Sequence, residues 1–470
     1  MKDKEERKGS MELNYQRKNI WKNASAEKRN RIMETAVDFK AFNDASKTER
    51  LCVKEVVRRA EAAGFCDITK ADSVKAGDKV YYNDGGKLLY VAVAGEKPLT
   101  EGANIVVAHT DCTRLDFKIV PLFEKDGFAY GKTCMYSLSK LEKWTSTPLS
   151  MYGTVVRKDG SIVEIAEGAS EDQPALFITD MSLHYSVMQG QKKQEEAYNH
   201  EQMNVFLGAT PAEGDVAEAV KENILQYLYE KYGIIEEDFI SAEIEIVPAG
   251  KTRDIGLDSS ALCGYGFDDR AAVYAQLCGI LACEKPERSA IAIFVDKEEI
   301  GFAGRSGSHS RVTDYFLRLL AEKTGCGGEG IALNQIQLGS KVMSLEAVCG
   351  NDPNYPEVCE PYSGSLLGHG LQVIKYASRY GKMDTSEASA EYLGQVRKVF
   401  NDNGVIWQPF AGIEKFGGFG TVSVDYSNMG MESFDAAICV LGAHSPYEFM
   451  LKSDLYEACL ACRVFFEKLQ

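Results

Sequence analysis

The sequence predicts an α/β protein whose mixed, open sheet is flanked by helices and carries an inserted β-rich domain. The first observation behind this prediction is that strand-like and helix-like runs alternate through the second half of the chain. The second is that the run ANIVVAHTD is nearly continuous in apolar residues, which is typical of a strand buried on both faces. The third is that the alternation of strands and helices stops between residues 121 and 246, where short predicted strands and polar stretches replace it.

The order of the elements predicts where the insertion begins and ends. Residues 26–64 are predicted to be helical, because apolar side chains recur at helical spacing up to a glycine. KLLYVAVAG and ANIVVAHTD follow as strands, and the inserted part holds strands around LSMYGTVVRKDGSIVEIAEG and a helix near VKENILQYLYEKYG. Alternation then resumes with SAEIEIVPAG, DDRAAVYAQLCGILACE, SAIAIFVDKEE, SKVMSLEAVCG, LQVIKYASR and ESFDAAICVLGAHS. We therefore predict one α/β domain formed by residues 1–120 and 247–470, with residues 121–246 inserted as a second domain.

Composition and charge restrict the cellular compartment and the binding partners that we expect for this chain. The chain has 470 residues and a formal net charge of −16, which opposes a nucleic-acid partner because phosphate binding needs clustered Lys and Arg. No apolar run is long enough for a membrane span, and the charged N-terminus lacks the apolar core of a secretory signal. The cysteines are scattered, and the single CxxC, Cys459 to Cys462, falls in the predicted helix SDLYEACLACRVFFEKLQ. We expect a cytoplasmic protein with buried cysteines and no membrane partner.

Histidines and carboxylates recur where predicted strands end. Two histidines directly follow apolar strands, in VVAHTD and CVLGAHS, carboxylates end IAIFVDKEE and VMSLE, and an Asp pair begins a helix after CGYGF. Each has an ordinary interpretation on its own, such as a helix N-cap or a solvated glutamate. Together they favour one crevice, because ligands bind beyond the carboxyl ends of strands in open α/β sheets. The candidate metal ligands are His109, Asp268, Glu299, Glu346 and His444.

This set of residue types suits two metal ions and hydrolysis. Mixed nitrogen and oxygen ligands suit zinc, and also manganese or cobalt. Two metals about 3.5–4 Å apart share a bridging carboxylate and a hydroxide, and they need a free carboxylate to take the proton from water. In the pair Glu298-Glu299, one residue can ligate while its neighbour faces that water. Asp111, two residues after His109, is predicted to orient the imidazole. The chemistry fits peptide or amide hydrolysis.

Five segments resemble one known family in the same order along the chain. They are HTD at 109–111, FDD at 267–269, EE at 298–299, SLEAVCGNDPNY at 344–355 and GAHSPYE at 442–448. This pattern is similar to that of the aspartyl aminopeptidase family, which are dinuclear zinc aminopeptidases. The resemblance implies a zinc-peptidase type of fold, peptide substrates, and self-association through residues 121–246 into a homo-oligomer, the tetrahedral dodecamer of that family.

The resemblance also implies a role for each ligand. By position, Asp268 bridges the two metals, and Glu298 is the general base that deprotonates the attacking water and passes the proton to the leaving amine. One metal would hold the free α-amine of the substrate, which restricts cleavage to the N-terminal residue. The remaining ligands would divide into two pairs, His109 with Glu346 and Glu299 with His444.

Two further residues carry functions that the resemblance alone suggests. FITDMSLHYSVM resembles the segment whose histidine reaches a neighbouring subunit's active site, so His184 is implied to donate to the oxyanion; the alternative is an ordinary histidine on a strand. Lys375, in GLQVIKYASRYG, is the implied cation for an N-terminal Asp or Glu, and the alternative is a surface lysine.

Three positions depart from the family pattern and leave the substrate preference open. Glu346 stands where the family usually has Asp, Asp269 replaces an Asn, and Asp352 replaces a His. We therefore keep two alternatives to an acidic-specific enzyme. One is a broad-specificity aminopeptidase of a related dodecameric family, and the other is a non-catalytic assembly protein on the same scaffold.

Overall fold

The computed structural model describes residues 13–327, 330–376, 382–383, 385–412 and 421–470. The N-terminal residues expected to lack a secretory signal fall mostly outside these ranges. The helices are α1 (Ala26–Ala45), α2 (Glu49–Ala62), α3 (Gln194–Ala197), α4 (Ala219–Tyr232), α5 (Phe267–Ala282), α6 (Val312–Lys323), α7 (Ala332–Gly339), α8 (Ala390–Asp402), α9 (Ser423–Asn428) and α10 (Lys452–Lys468).

The strands form two sheets. They are β1 (Cys66–Asp67), β2 (Lys79–Asp84), β3 (Leu88–Val93), β4 (Ala103–His109), β5 (Arg114–Lys125), β6 (Phe128–Tyr136), β7 (Leu149–Val156), β8 (Ile162–Glu167), β9 (Asn204–Gly208), β10 (Glu243–Pro248), β11 (Arg253–Ile255), β12 (Ala261–Gly264), β13 (Ser289–Val295), β14 (Lys341–Cys349), β15 (Leu371–Ile374), β16 (Trp407–Phe410), β17 (Glu432–Leu441) and β18 (Glu448–Leu451). The large sheet has the order β1-β2-β3-β13-β4-β14-β17-β18-β12-β11, with β15 joining β17 and β16 joining β15. The second sheet has the order β8-β7-β10-β5-β6-β9.

Four parallel strands, β13, β4, β14 and β17, form the centre of the large sheet. Their residues alternate between two cores, so that Val106 faces helices α1, α2, α5, α8 and α10 while Val107 faces α6, α7 and α9. This burial on both faces is why the strands are apolar throughout. The predicted fold class, a mixed open sheet flanked by helices, is confirmed.

The four parallel strands end at the same edge of the sheet, and this alignment positions the candidate site. His109 is the last residue of β4 and pairs with Val295, the last residue of β13. Ser344 of β14 pairs with Val107 of β4, so Glu346 comes two residues later, at the level where β4 ends. β17 ends at 441, three residues before the second predicted histidine ligand.

The second sheet is wholly antiparallel and has its own core. Trp144, Val205 and Ile246 are buried there beneath α4. The strand in SAEIEIVPAG, which was expected to resume the α/β alternation, is β10 and lies in this sheet instead, paired with β5 and β7. The predicted boundaries at 121 and 246 lie inside β5 and β10. Division of the chain into two domains remains our proposal.

Helix α10 carries the CxxC segment as a packed helix face. Cys462 is fully buried, and a Cβ placed on Gly279 of α5 would come within 2.7 Å of its Cβ. The glycine therefore allows α5 and α10 to approach closely. Across the described ranges, no helix combines the length and the apolar character needed to cross a bilayer.

Candidate metal centre

The predicted ligands come together in two groups that share Asp268. Nε2 of His109 lies 3.4 Å from Oδ1 of Asp268 and 3.5 Å from Oε2 of Glu346. Nε2 of His444 lies 3.4 Å from Oδ2 of Asp268 and 3.4 Å from Oε2 of Glu299. The two oxygens of one carboxylate thus face two different imidazoles. We call His109, Asp268 and Glu346 the first triad, and Asp268, Glu299 and His444 the second triad.

These distances fit ligands around divalent metal ions. Tetrahedral zinc with bonds of about 2.0–2.1 Å holds neighbouring ligand atoms about 3.3–3.4 Å apart. The four distances within the two triads, 3.4, 3.5, 3.4 and 3.4 Å, match that spacing. In both triads an imidazole nitrogen faces carboxylate oxygens, which is a donor set that zinc accepts. The ligand atoms of the second triad, and likewise those of His109, Asp268 and Asp269, all lie within 4.8 Å of one another, so the residues present fit a divalent metal.

Asp269, which the sequence marked only as a departure, also belongs to this cluster. Its ligand oxygen lies within 4.8 Å of those of His109 and Asp268, and its Oδ2 accepts a 3.1 Å hydrogen bond from the backbone N–H of His109. Oδ1 of Asp269 is buried without a hydrogen-bond partner among the described residues. Its position beside Asp268 was the only sequence signal for this placement.

Asp111 contacts the imidazole of His109, which it is predicted to orient. Nδ1 of His109 lies 3.0 Å from the carbonyl oxygen of Asp111 and 3.3 Å from its Oδ1. The same carboxylate accepts hydrogen bonds from the backbone N–H groups of Glu298 and Glu299, at 3.3 and 3.2 Å. Tyr136 donates a third, at 2.9 Å. With its Nδ1 side occupied, His109 presents Nε2 to the first triad.

The second triad is held by residues that sequence reasoning missed. His444 directs Nδ1 to the carbonyl oxygen of Leu138 at 2.8 Å, which leaves Nε2 free to face the carboxylates. Glu299 accepts hydrogen bonds from the hydroxyls of Ser137, at 2.6 Å, and Thr113, at 3.2 Å. Serine and threonine give no distinctive signal in a single sequence, so these contacts follow only from the fold.

Glu448 fixes the backbone around the shared carboxylate. It accepts hydrogen bonds from the backbone N–H groups of Asp268, at 2.9 Å, and His444, at 2.8 Å. His444 belongs to the second triad, and Asp268 belongs to both triads. His444 has a φ of 63°, a left-handed conformation that costs a non-glycine residue about 1–3 kcal/mol unless its surroundings impose it. Glu448 was part of the GAHSPYE match but had been given no role.

Burial and mutual repulsion shift the acidic groups of the site. Burial raises the pKa of Glu346 to about 8, and the carboxylate of Asp268 adds to the rise. Burial also raises the pKa of Glu298 well above its usual range. Burial alone would raise the pKa of Asp268, but hydrogen bonds from His109 and His444 lower it to about 2. A divalent cation would offset this crowding of buried negative charge.

Three residues singled out in the sequence lie outside the cluster. His184 is exposed on the 3-10 helix Leu183–Met188 and not on a strand. Lys375 follows β15, which runs antiparallel to β17, and pairs with Glu387 at 3.2 Å. Asp352 accepts a hydrogen bond from the backbone N–H of Asn354 in the loop after β14. Within the described residues of this chain, the structure does not bring these three to either triad.

Comparison with known proteins places this chain in one family. The sequence profile described as Aminopeptidase I zinc metalloprotease (M18) matches residues 42–466. A protein of Clostridium acetobutylicum named probable M18 family aminopeptidase 1 is 36% identical over 448 residues, covering 94% of this chain and 96% of the relative. A solved M18 aminopeptidase from Thermotoga maritima, 35% identical, has a TM-score of 0.93 and covers 97% of this chain and 100% of that one.

A more distant relative carries the name that the sequence motifs suggested. The aspartyl aminopeptidase of Caenorhabditis elegans is 21% identical over 471 residues, covering 93% of this chain and 96% of the relative. The resemblance recognised in the sequence is confirmed. Profile, relatives and fold agree over nearly the whole length: this chain belongs to the M18 family of aminopeptidases, which are zinc metalloproteases.

Proposed function

We propose that this aminopeptidase removes the N-terminal residue of peptides with two divalent metal ions, one in each triad. The observation that carries the proposal is the placement of Asp268 between two imidazoles, with Oδ1 and Oδ2 each 3.4 Å from one Nε2. Such a carboxylate is suited to bridge a pair of metals. When bound, the metals would polarise the scissile carbonyl and lower the pKa of the attacking water. Zinc is our choice, with manganese and cobalt also compatible with the donor set.

Glu298 is proposed as the general base. Its Oε2 lies 3.8 Å from Nε2 of His109, and its side chain keeps 14% of its surface exposed. Its backbone N–H donates to Asp111 at 3.3 Å, which holds the backbone of Glu298 beside the centre. Burial raises its pKa well above the usual range. A carboxylate of this kind can hold the proton taken from water and return it to the leaving amine.

His184 is proposed to act in the site of a second copy of the chain. Around it lie exposed apolar side chains, with Leu183 82% exposed and Tyr185 67% exposed. Exposed apolar side chains gathered in one short segment favour an interface there. Burial of this surface against another subunit would bring the His184 imidazole to that subunit's metal centre as a donor to the oxyanion. We propose a homo-oligomer joined through the second sheet, a dodecamer as in the family, acting in the cytoplasm.

A preference for N-terminal Asp or Glu, with Lys375 as the cation, is the substrate class we propose. The name of the Caenorhabditis elegans relative supports it. One observation favours a second candidate, an enzyme of broad specificity. Lys375 is 43% exposed and already paired with Glu387, which offsets the charge that an acidic substrate would need.

A substrate panel with metal-reconstituted protein distinguishes an enzyme of acidic specificity from one of broad specificity. Aminoacyl nitroanilides of Asp, Glu, Leu and Lys are compared by kcat/KM, alongside metal content and molecular mass in solution. An Asp or Glu advantage of tenfold or more supports the acidic preference, whereas higher kcat/KM for Leu or Lys assigns broad specificity. A protein without stoichiometric metal and without turnover after zinc, cobalt or manganese is added would be a non-catalytic assembly protein.

A further inference from the structure

Three consecutive residues after the second-sheet strand β6 contact two of the proposed metal ligands. They follow β6 directly, and we call them the 137–139 segment. The hydroxyl of Ser137 donates to Oε2 of Glu299 at 2.6 Å. The carbonyl oxygen of Leu138 accepts from Nδ1 of His444 at 2.8 Å, and the hydroxyl of Ser139 donates to the carbonyl oxygen of His444 at 2.7 Å.

All three contacts fall on the second triad. The ligands unique to the first triad are held by the large sheet and the loop after β4. Asp111 holds His109 at 3.0 Å, and the hydroxyl of Ser344 lies 3.3 Å from Oε1 of Glu346. The two triads share Asp268, and Tyr136 of β6 donates to Asp111 beside the first triad. Among the described residues, however, no hydrogen bond joins the 137–139 segment itself to His109 or Glu346. A change in the 137–139 segment therefore acts directly on Glu299 and His444, which belong to the second triad alone.

Buried neighbours hold the 137–139 segment in place. Trp144, which is fully buried, donates from Nε1 to the hydroxyl of Ser139 at 2.9 Å. Ser137 has a φ of 69°, which its surroundings must impose on a non-glycine residue. Tyr136, the preceding residue, is buried over Arg114, whose guanidinium lies 3.7 Å from the ring centroid. Ligands held by such a fixed segment lose little freedom when a metal binds.

We propose that the 137–139 segment sets the metal affinity of the second triad independently of the first. Ser137 and Ser139 are then positioning residues, which act through Glu299 and His444 and do not touch substrate. Hydrogen bonds that orient metal ligands change affinity by about 10–100-fold. This inference rests on the two-metal function proposed above, and it adds that the two metals bind in separable steps.

The experiment titrates metal-free protein with zinc in competition with a chromophoric chelator, and counts bound zinc by elemental analysis. Ser137→Ala and Ser139→Ala should each weaken one of two binding steps by about 10-fold or more, with the other step unchanged within about twofold. Ser139→Thr retains the hydroxyl and should restore the weakened step. Ser150→Ala, which removes a serine hydroxyl bonded to the carbonyl of Gly168 in the same sheet, should bind zinc as wild type does.

Equal weakening of both steps, or no change in either, overturns the inference. If Ser137→Ala does not fold, Ser137→Gly carries the same test, because glycine adopts a φ of 69° without strain. The number of zinc ions that the wild-type protein binds tests the proposed function separately from the variants. A wild-type protein that binds a single zinc rejects the two-metal function and this inference with it.

Discussion

The phenolic hydroxyl of Tyr136 donates a 2.9 Å hydrogen bond to Oδ2 of Asp111, so the second sheet contacts the carboxylate that orients His109. Tyr136→Phe removes this hydrogen bond and keeps the ring over Arg114. Because Asp111 then holds His109 less firmly, zinc affinity should fall by about 10-fold, as measured by chelator competition. Tyr392→Phe, which removes a buried hydroxyl bonded to the carbonyl of Val342, is the matched control. Wild-type affinity in Tyr136→Phe would remove Tyr136 from the support of the site.

Glu298→Gln tests the proposed base. The amide has the shape of the carboxylate but cannot take a proton, so kcat should fall by about 10²–10⁴-fold. Zinc content should stay at the wild-type value, because Glu298 is not one of the proposed ligands. Elemental analysis and steady-state kinetics on the same preparation check both expectations. Turnover that survives the substitution would assign the proton transfer to another group.

His184→Phe tests the contribution from a second subunit. The side chain is exposed within the chain, so the fold should tolerate the change and keep its metal and its assembly. Loss of an oxyanion donor should lower kcat by about 10²–10³-fold. His200, also exposed in the inserted region, provides a matched control in His200→Phe, which should leave kcat unchanged. Equal kcat values for all three proteins would contradict the proposed role.

Metal removal should make stability fall as pH rises. Burial raises the pKa of Glu346 from 4.5 to about 8, so the folded protein holds a proton that the unfolded chain releases. This contribution is complete below about pH 4.5 and is lost as pH rises through about 8. Burial alone would lower the pKa of His444, but Asp268 and Glu299 raise it from 6.5 to about 10, and its contribution is lost as pH rises through about 10.

Zinc binding displaces the protons of Glu346 and His444, so the stabilisation that zinc provides should grow with pH. Apparent zinc affinity should increase by about tenfold per pH unit for each proton released. Calorimetric scans of metal-free and zinc-loaded protein at several pH values between 6 and 9 give the difference in Tm. A zinc-induced rise in Tm that is the same at every pH would contradict this prediction.

Arg114 should be critical for stability because it is buried among carboxylates. Its guanidinium lies 2.7 Å from Asp116, 3.3 Å from Glu49 and 3.3 Å from Glu245. Arg114→Met leaves these acids without their partner and should cost about 3–5 kcal/mol in the free energy of unfolding. The exposed pair of Lys54 with Glu164 is the contrast, since Lys54→Met should cost less than about 1 kcal/mol. Urea unfolding measures the loss of stability in both variants. A similar shift of the urea midpoint in the two would contradict the special role of Arg114.

The positions of the central strands and the convergence of the candidate ligands were predictable because both leave a strong pattern in the sequence. The apolar runs of β4 and β13 are buried on both faces, and the residues that follow them converge at one edge of the sheet. The support of the site was less predictable. Ser137 contacts Glu299 across 162 residues of sequence, and no local pattern encodes such a contact. The strand β10 is present as predicted, but its apolar run suits either sheet, so its pairing with β5 and β7 could not be predicted.

The hydrogen bonds from the 137–139 segment also bear on how this fold can be engineered. A shortened chain that kept only the large sheet would retain every side chain of both triads. His444 would nevertheless lose the acceptor of its Nδ1–H, and Glu299 would lose a hydroxyl donor. A minimal peptidase cut from this fold, or a chimera bearing another protein's second sheet, would therefore have to inherit these three residues together with the ligands.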